Sequence, residues 1–229
     1  MRRTVAIVRC SCNTKSQLST NRPPVVLFSQ QQWEERGLDT DRRRLRADAE
    51  RSIRTIIEAA ERMLTENPAA TIEQIAESAG VARTTVHRRF ASREALITSM
   101  TRAAWNQIAA AVAAARPATA PPLVALHQAT ANILNIKSRW RFALGQPTDD
   151  AATGEIQQEV FAACDLVLQR AQQTGLIHPD ADLAWARRVY LALINETMHG
   201  TPPPHGDSDT LATRILDTLL HGIGPTAPA

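Results

Sequence analysis

The sequence predicts an all-α protein with a small three-helix domain that contains a helix-turn-helix, followed by a larger helical domain. Apolar residues recur at helical spacing in long runs rich in alanine and leucine, and no run alternates like a β-strand for more than a few residues. Glycine and proline gather between these runs, where helices end. The 229 residues are enough for both domains.

Residues 1–47 are predicted to form a basic, mobile N-terminal arm. They carry ten Lys or Arg against four Asp or Glu, and they show no sustained hydrophobic period. Basic arms can follow the DNA backbone or enter a minor groove. Plain disorder, or a start codon chosen upstream of the true one, fits the same composition. Arg44 belongs to an arginine run directly before the first helix.

The helix-turn-helix is predicted within residues 48–98. A first helix with apolar residues at core spacing ends near Asn67-Pro68. The second helix begins at a capping box, in which the Thr71 hydroxyl accepts from a free amide and Gln74 reaches back to the cap. Gly80 follows the last apolar residue of that helix, where a left-handed residue commonly closes a helix. These features predict two helices separated by a tight turn.

The short helix after the turn presents basic and hydroxyl side chains, with no acidic residue among them. Val86 and Phe90 are spaced to pack it against the preceding helix, and this packing must compensate for the low helix propensity of its β-branched residues. Arginine suits phosphates and guanine edges, and threonine can bond a phosphate or contact a thymine methyl. The alternative is a solvated basic face on a helical hairpin. The candidate DNA-binding residues are Arg44, Thr71, Arg83, Thr84, Thr85, His87, Arg88 and Arg89.

Residues 54–96 resemble the DNA-binding domain of TetR-type transcriptional regulators. The usual pattern of that family is T-x-x-x-I-A-x-x-A-G-V, then a short helix ending in Y-x-x-F, then K-E-x-L. The corresponding residues here are Thr71, Ile75, Ala76, Ala79, Gly80 and Val81, then His87, Phe90, Arg93, Glu94 and Leu96.

The chain departs from the family pattern at two positions. His87 stands where a phosphate-contacting Tyr is usual, which weakens that contact or makes it depend on pH. Ala82 stands where Ser commonly caps the recognition helix, at a cost of about 1 kcal/mol. The resemblance implies a ligand-responsive regulator, a repressor that binds a palindromic double-stranded operator as a homodimer and is released by a small molecule.

Residues 99–229 are predicted to form the helical effector-binding and dimerisation domain. Helices are expected near residues 93–116, 123–138, 155–173, 181–199 and 208–223. By the resemblance, the last two form a four-helix bundle with a second copy, although such apolar stripes can also pack on the chain's own core. The candidate dimer residues are Leu183, Val189, Tyr190, Leu193, Leu211, Ile215 and Leu219.

The middle helices are expected to enclose the effector. Aromatic side chains there could stack on a hydrophobic ligand, and His127 or Asn132 could orient it. Glu196 favours a cationic ligand, although the sequence does not identify the effector. The candidate ligand residues are Trp105, His127, Asn132, Trp140, Phe142, Phe161, Trp185 and Glu196.

Several function classes are not expected. No apolar stretch approaches the 18 residues of a membrane span, and Arg9 interrupts the apolar opening, so we expect a cytoplasmic protein without a signal peptide. Cys10, Cys12 and Cys164 lack the partners of a zinc site, so we expect neither a metal nor a cofactor. No nucleophile–base set indicates an enzyme. An effector-independent architectural DNA-binding dimer is the principal alternative, and an enzyme on a helical scaffold is a weaker one.

Overall fold

The computed structural model describes residues 30–197 and 207–221, whose regular structure is helical throughout, with no β-strand. The prediction of an all-α fold is confirmed. The helices in these ranges are α1 (Gln30–Glu66), α2 (Ile72–Ser78), α3 (Arg83–Arg89), α4 (Arg93–Ala114), α5 (Pro122–Arg139), α6 (Arg141–Leu144), α7 (Ala151–Gln173), α8 (Leu183–Thr197) and α9 (Ser208–His221).

The chain divides into two compact units, residues 1–47 and residues 48–229. In the first unit the described backbone, residues 30–47, is helical and belongs to α1, whereas a mobile arm was predicted up to residue 47. The segment from Gln30 is rich in Gln, Glu and Arg, which have high intrinsic helix propensity, so it forms a helix without an apolar stripe. The rest of the predicted arm lies outside the described residues.

In the second unit, α4, α5 and α7 pack against one another, α9 lies along α5, and α8 packs on α7 and α9. The aliphatic side chains predicted for the first helix are in the core, where Ile56 and Leu64 are fully buried. Met100 and Leu134 continue this core into the larger helices. One hydrophobic cluster therefore extends from the helix-turn-helix into the C-terminal helices.

The capping box and the turn glycine predicted for the helix-turn-helix are both present. The Gln74 amide donates to the Thr71 hydroxyl at 3.3 Å, and the Thr71 amide donates to Gln74 Oε1 at 2.9 Å. Gly80 has φ +66°, a left-handed backbone conformation that residues with a Cβ rarely adopt. Val86 and Phe90 are buried and hold α3 against α2. The sequence therefore explains this motif residue by residue.

Helix α6 and the start of α7 differ from the prediction. The short helix α6 was not predicted, because four residues are too few to show a helical period. Helix α7 begins at Ala151 rather than near residue 155, since the Asp150 carboxylate accepts from the Thr153 amide at 2.9 Å and caps it. The Arg102 guanidinium binds the same carboxylate at 2.6 and 3.0 Å, which fixes the start of α7 against α4.

Glu61 joins the first helix to α6. Its carboxylate is buried and accepts the backbone N–H of Phe142 at 2.7 Å and that of Ala143 at 3.0 Å. Burial raises the pKa of Glu61, and the two amides oppose that shift. The Thr101 hydroxyl of α4 donates to the carbonyl of Ala143 at 3.1 Å. Helix α6 is therefore held by both α1 and α4.

Candidate nucleic-acid interface and effector cavity

The candidate DNA-binding residues of α3 lie at different depths. Thr84, His87 and Arg88 are exposed, whereas Thr85 and Arg89 are half-buried. The Nε of Arg89 is buried and makes no hydrogen bond within the described part of the chain. Outside α3, Arg44 and Thr71 are exposed. Arg88 is accordingly the more exposed of the two consecutive arginines, Arg88 and Arg89.

Arg83 is held by two neighbouring side chains. Its Nη2 lies 2.8 Å from the Glu73 carboxylate of α2, and its Nε donates to His87 Nε2 at 3.2 Å. His87 Nε2 is the acceptor in this contact. The pKa of Glu73 is lowered, first by its own backbone amide and then by the Thr71 hydroxyl, so the carboxylate stays ionised beside Arg83.

The sequence prediction did not include Glu73 in this face. The prediction for this face was based on the recognition helix, α3, which contains no acidic side chain. The tight turn at Gly80 brings the first turn of α2 beside the first turn of α3, and this places a carboxylate next to Arg83. The sequence indicated that the N-termini of α2 and α3 lie near each other. Whether a side chain of one pairs with a side chain of the other depends on the angle at which the two helices cross, which the sequence does not contain.

A narrow apolar cavity of about 40 Å³ lies between α4, α5, α7 and α8. Its walls are aliphatic, with one phenylalanine, one cysteine and one tyrosine, and none of its lining residues is charged. The lining residues are Val112, Ala115, Pro117, Ala125, Leu126, Ala129, Ile133, Val160, Phe161, Ala163, Cys164, Val167, Tyr190 and Leu191.

The polar groups of the cavity lining are neutral. The Tyr190 hydroxyl lies 2.7 Å from the Thr130 hydroxyl, which itself donates to the carbonyl of Leu126 at 2.6 Å. Since the Thr130 proton is used there, Tyr190 is the donor of the pair. Burial raises the pKa of Tyr190 and raises the pKa of the Cys164 thiol to about 12. Neither group carries a charge near neutral pH.

Phe161 is the one predicted ligand residue that lines this cavity. Trp105 lies behind it, edge-to-face at 6.2 Å between ring centroids. Trp140 is buried at the end of α5 and donates to Gln107 at 3.1 Å, and Phe142 belongs to the Glu61 contact at α6. None of these three aromatic residues lines the cavity, and all three belong to the hydrophobic core or pack against it.

The remaining predicted ligand residues lie on the surface or in other contacts. His127 is 3.1 Å from the Thr213 hydroxyl in a groove beside α9, and Asn132 accepts from Gln128. Trp185 is 58% exposed. Glu196 is exposed, so a cation in the cavity would not meet it. A single sequence does not show which face of each long helix turns toward the space between α4, α5, α7 and α8.

The candidate dimer residues divide between the surface and the core. Tyr190, Leu211 and Ile215 are buried in their own chain, so they pack on its core and do not face outward. The prediction included them because α8 and α9 are apolar on more than one side. Leu183, Val189, Leu193 and Leu219 are half-buried in the single chain. Val189 and Leu219 line a surface groove with the exposed Trp185.

Residues 30–197 and 207–221 contain neither a metal-ligand cluster nor a membrane-spanning helix. No group of three His, Cys, Asp or Glu side chains in these ranges is arranged to hold a metal ion. No described helix has the length and apolar character needed to cross a membrane. Cys10 and Cys12, which were expected to bind no metal, lie outside the described residues.

A characterised relative identifies the family of this chain. The HTH-type transcriptional repressor LfrR of Mycolicibacterium smegmatis is 30% identical over 174 residues, which are 75% of this chain and 92% of LfrR. The chain belongs to the TetR family. The family model described as "Bacterial regulatory proteins, tetR family" matches residues 56–100, from the later part of α1 to the first turns of α4.

Solved TetR-family structures share the fold. LfrR from Mycobacterium smegmatis in complex with proflavine superposes with a TM-score of 0.60 at 26% identity, over 78% of this chain and 99% of that one. FadR from Bacillus subtilis in complex with stearoyl-CoA gives a TM-score of 0.63 at 22% identity, over 74% and 98%. The helical domain after the helix-turn-helix is thus the C-terminal domain of a TetR-family regulator.

The two departures from the TetR pattern have visible consequences. Ala82, at the N-cap of α3, has an extended backbone and makes no side-chain capping bond. His87, at the position usual for Tyr, is exposed and engaged by Arg83. The helix is nevertheless complete from Arg83 to Arg89, because Val86 and Phe90 anchor it.

Proposed function

We propose that this protein is a ligand-responsive repressor that binds a palindromic operator through α3 and is released by a small molecule. The observation that carries the proposal is the capped helix-turn-helix, whose third helix exposes Thr84, His87 and Arg88. The similarity to LfrR, which is named as a repressor, supports it.

Within the interface the residues have distinct roles. Arg88 reads a base edge or a phosphate, and Thr84 contacts a phosphate or a thymine methyl. Arg44 and Thr71 contribute contacts to the phosphate backbone of the DNA. Arg83 approaches DNA with Glu73 beside it, so its net positive field is smaller than that of Arg88. Thr85 and Arg89, both half-buried, contribute more to the packing of α3 than to base readout.

A homodimer supplies the second half of the palindrome. Paired recognition helices read half-sites about 34–36 Å apart, one helical turn of DNA. The surface groove that contains Trp185 and Val189 of α8 and Leu219 of α9 provides a surface for a second copy. Two such helices from each copy form a four-helix bundle.

Release requires a ligand that prefers a different spacing of the two recognition helices. The cavity lies against α4, through Val112 and Ala115, and α4 begins at Arg93, directly after the turn that follows α3. A ligand that moves α4 therefore moves α3. The bonds of Glu61 and Thr101 to α6 connect the same movement to the end of α5.

The experiment that tests the proposal is a titration of the protein against the DNA upstream of its own gene, at two salt concentrations, with a shuffled duplex as control. We expect saturable binding that prefers the native duplex by about a hundredfold, with a steep salt dependence. Equal and weak binding to both duplexes would contradict the repressor function at that site.

A second candidate is an architectural DNA-binding dimer without an effector. The small size of the cavity favours it, because 40 Å³ is close to the volume of a single water molecule. In that case no small molecule changes operator affinity, whereas the repressor loses affinity when its effector is added.

A further inference from the structure

We propose that the effector is an uncharged, apolar molecule that enlarges the cavity between α4, α5, α7 and α8 as it binds. This inference rests on the proposed function, since it names the chemical class that would release the operator.

The walls of the cavity offer no partner to a charge. Its lining residues are aliphatic or aromatic apart from Cys164 and Tyr190. Asp165, next to Cys164, is exposed and bound by Arg187 at 2.9 Å, so it is already paired outside the cavity. A charged ligand would lose its hydration there without gaining an ion pair, which strongly disfavours binding.

The hydrogen-bonding capacity of the cavity is also small. The Tyr190 proton is directed to Thr130, and the Thr130 proton is directed to the carbonyl of Leu126. The Cys164 thiol is a weak donor. A carboxylate or phosphate group of a ligand would therefore find no strong donor among the lining side chains, which disfavours anions as well as cations.

The dimensions of the cavity require it to expand. It holds about 40 Å³, far less than the roughly 300–1,000 Å³ of a typical ligand pocket. Small side chains on three of its walls, Ala115, Ala129 and Ala163, leave the helices joined there by apolar contacts, which are not directional. An apolar ligand can replace such contacts as it separates the helices, whereas it would have to break oriented hydrogen bonds in a polar site.

This class differs from the ligand in the LfrR structure. Proflavine is an aromatic cation. Glu196, the acidic residue that the sequence analysis expected to favour a cationic ligand, is exposed and does not line the cavity. We therefore expect this chain to discriminate against proflavine in favour of neutral molecules of similar size.

The test compares three fluorescent probes on the full-length protein without DNA. N-phenyl-1-naphthylamine is neutral, 1-anilinonaphthalene-8-sulfonate carries the same ring system with one negative charge, and proflavine is a cation. We expect the neutral probe to bind saturably and at least about tenfold more tightly than either charged probe. Tighter binding of proflavine or of the sulfonate within the cavity would overturn the inference.

A matched pair of variants locates the binding. Ala163 lines the cavity, and the adjacent Ala162 is exposed on the outer side of α7. Ala163→Phe fills the space and should weaken binding of the neutral probe by at least about tenfold, whereas Ala162→Phe should leave it unchanged. Equal binding by the two variants would place the probe elsewhere and would also overturn the inference.

Ala163→Val gives a second variant that disturbs folding less than Ala163→Phe. It narrows the same cavity and should also weaken binding of the neutral probe, whereas Ala162→Val should leave it unchanged. Equal binding by these two variants would contradict the inference. A probe that binds in the cavity but does not release the operator would contradict the proposed function and leave the ligand class supported.

Discussion

Arg88 and Arg89 are neighbours in sequence with different surroundings, and their roles should separate. Arg88 is exposed, while the Nε of Arg89 is buried. Arg88→Ala should reduce operator affinity by about 1–3 kcal/mol, roughly 5- to 150-fold, without lowering the melting temperature. Arg139→Ala, which removes an exposed arginine from the end of α5, serves as the control in the same gel-shift titration. Equal affinity of Arg88→Ala and wild type would remove this side chain from the interface.

The ion pair of Arg102 and Asp150 should make stability depend on pH in the acid range. The Arg102 hydrogen bonds, followed by those of Thr153, lower the pKa of Asp150 from 3.8 to about 2. A lowered carboxyl pKa stabilises the folded protein above the ordinary value, and this stabilisation disappears as the pH falls toward about 2.

Urea unfolding of wild type and Asp150→Asn across this range tests the dependence. The wild type should be more stable near neutral pH, and the difference should close between the ordinary pKa and the lowered one. A difference that stays constant down to pH 2 would show that the charge of Asp150 is not its source.

At the scale of single residues, sequence predicted positions fixed by local geometry. Thr71, Gln74 and Gly80 act within a few residues of one another, and all three behave as predicted. Phe161 was identified among the ligand candidates, but Trp105 and Trp140 face other helices. The orientation of an aromatic side chain on a helix buried on several sides depends on how neighbouring helices cross, which a single sequence does not contain.

The recognition helix lacks a capping side chain, and supplying one should stabilise the protein. The N-cap, Ala82, has φ −65° and ψ 143°, a conformation from which a serine hydroxyl can accept an amide of the first turn. Ala82→Ser should therefore raise the free energy of unfolding by about 1 kcal/mol in urea titrations. Ala91→Ser adds a hydroxyl to the bend between α3 and α4, at a residue that is not an N-cap, and should leave the free energy of unfolding unchanged. Equal stability of Ala82→Ser and wild type would contradict the argument.

The contact of Glu61 with α6 should contribute to stability. Glu61→Ala leaves the amides of Phe142 and Ala143 without their acceptor in a buried place, at a cost of about 1–3 kcal/mol. Glu58→Ala removes an exposed carboxylate of the same helix and should change stability by less than about 0.5 kcal/mol. Chemical unfolding measures both, and an equal effect of the two substitutions would mean that the amides find other partners.

At the scale of elements, the long helices were predictable and α6 was not. The break at Pro121-Pro122 separates α4 from α5, and the break at Gly175 separates α7 from α8, as the positions of proline and glycine in the sequence indicated. Helix α6 depends on Glu61, which is about eighty residues away in sequence, and on Thr101. The helix propensity of residues 141–144 does not depend on an acceptor so distant in sequence, so the sequence predicted a break between helices there.

At the scale of the whole molecule, the surface groove of α8 and α9 that contains Trp185, Val189 and Leu219 should govern assembly. Val189→Glu places a charge in the surface that we propose faces a second copy, and it should shift the protein to monomers. Leu166→Glu introduces the same charge at a leucine of α7 that is 38% exposed, and should leave the assembly unchanged. Analytical ultracentrifugation distinguishes the two, and a Val189→Glu protein that assembles like wild type would exclude this surface as the interface.

The junction at Glu61 bears on the construction of hybrid regulators. Its partners across the junction are two backbone N–H groups, so the carboxylate recognises a turn of helix and not particular side chains. A DNA-reading domain transplanted from another family member would preserve this joint whenever it carries a glutamate at the equivalent of position 61. The operator specificity of one regulator could then be combined with the chemical specificity of another, with a single acidic residue as the requirement at this joint.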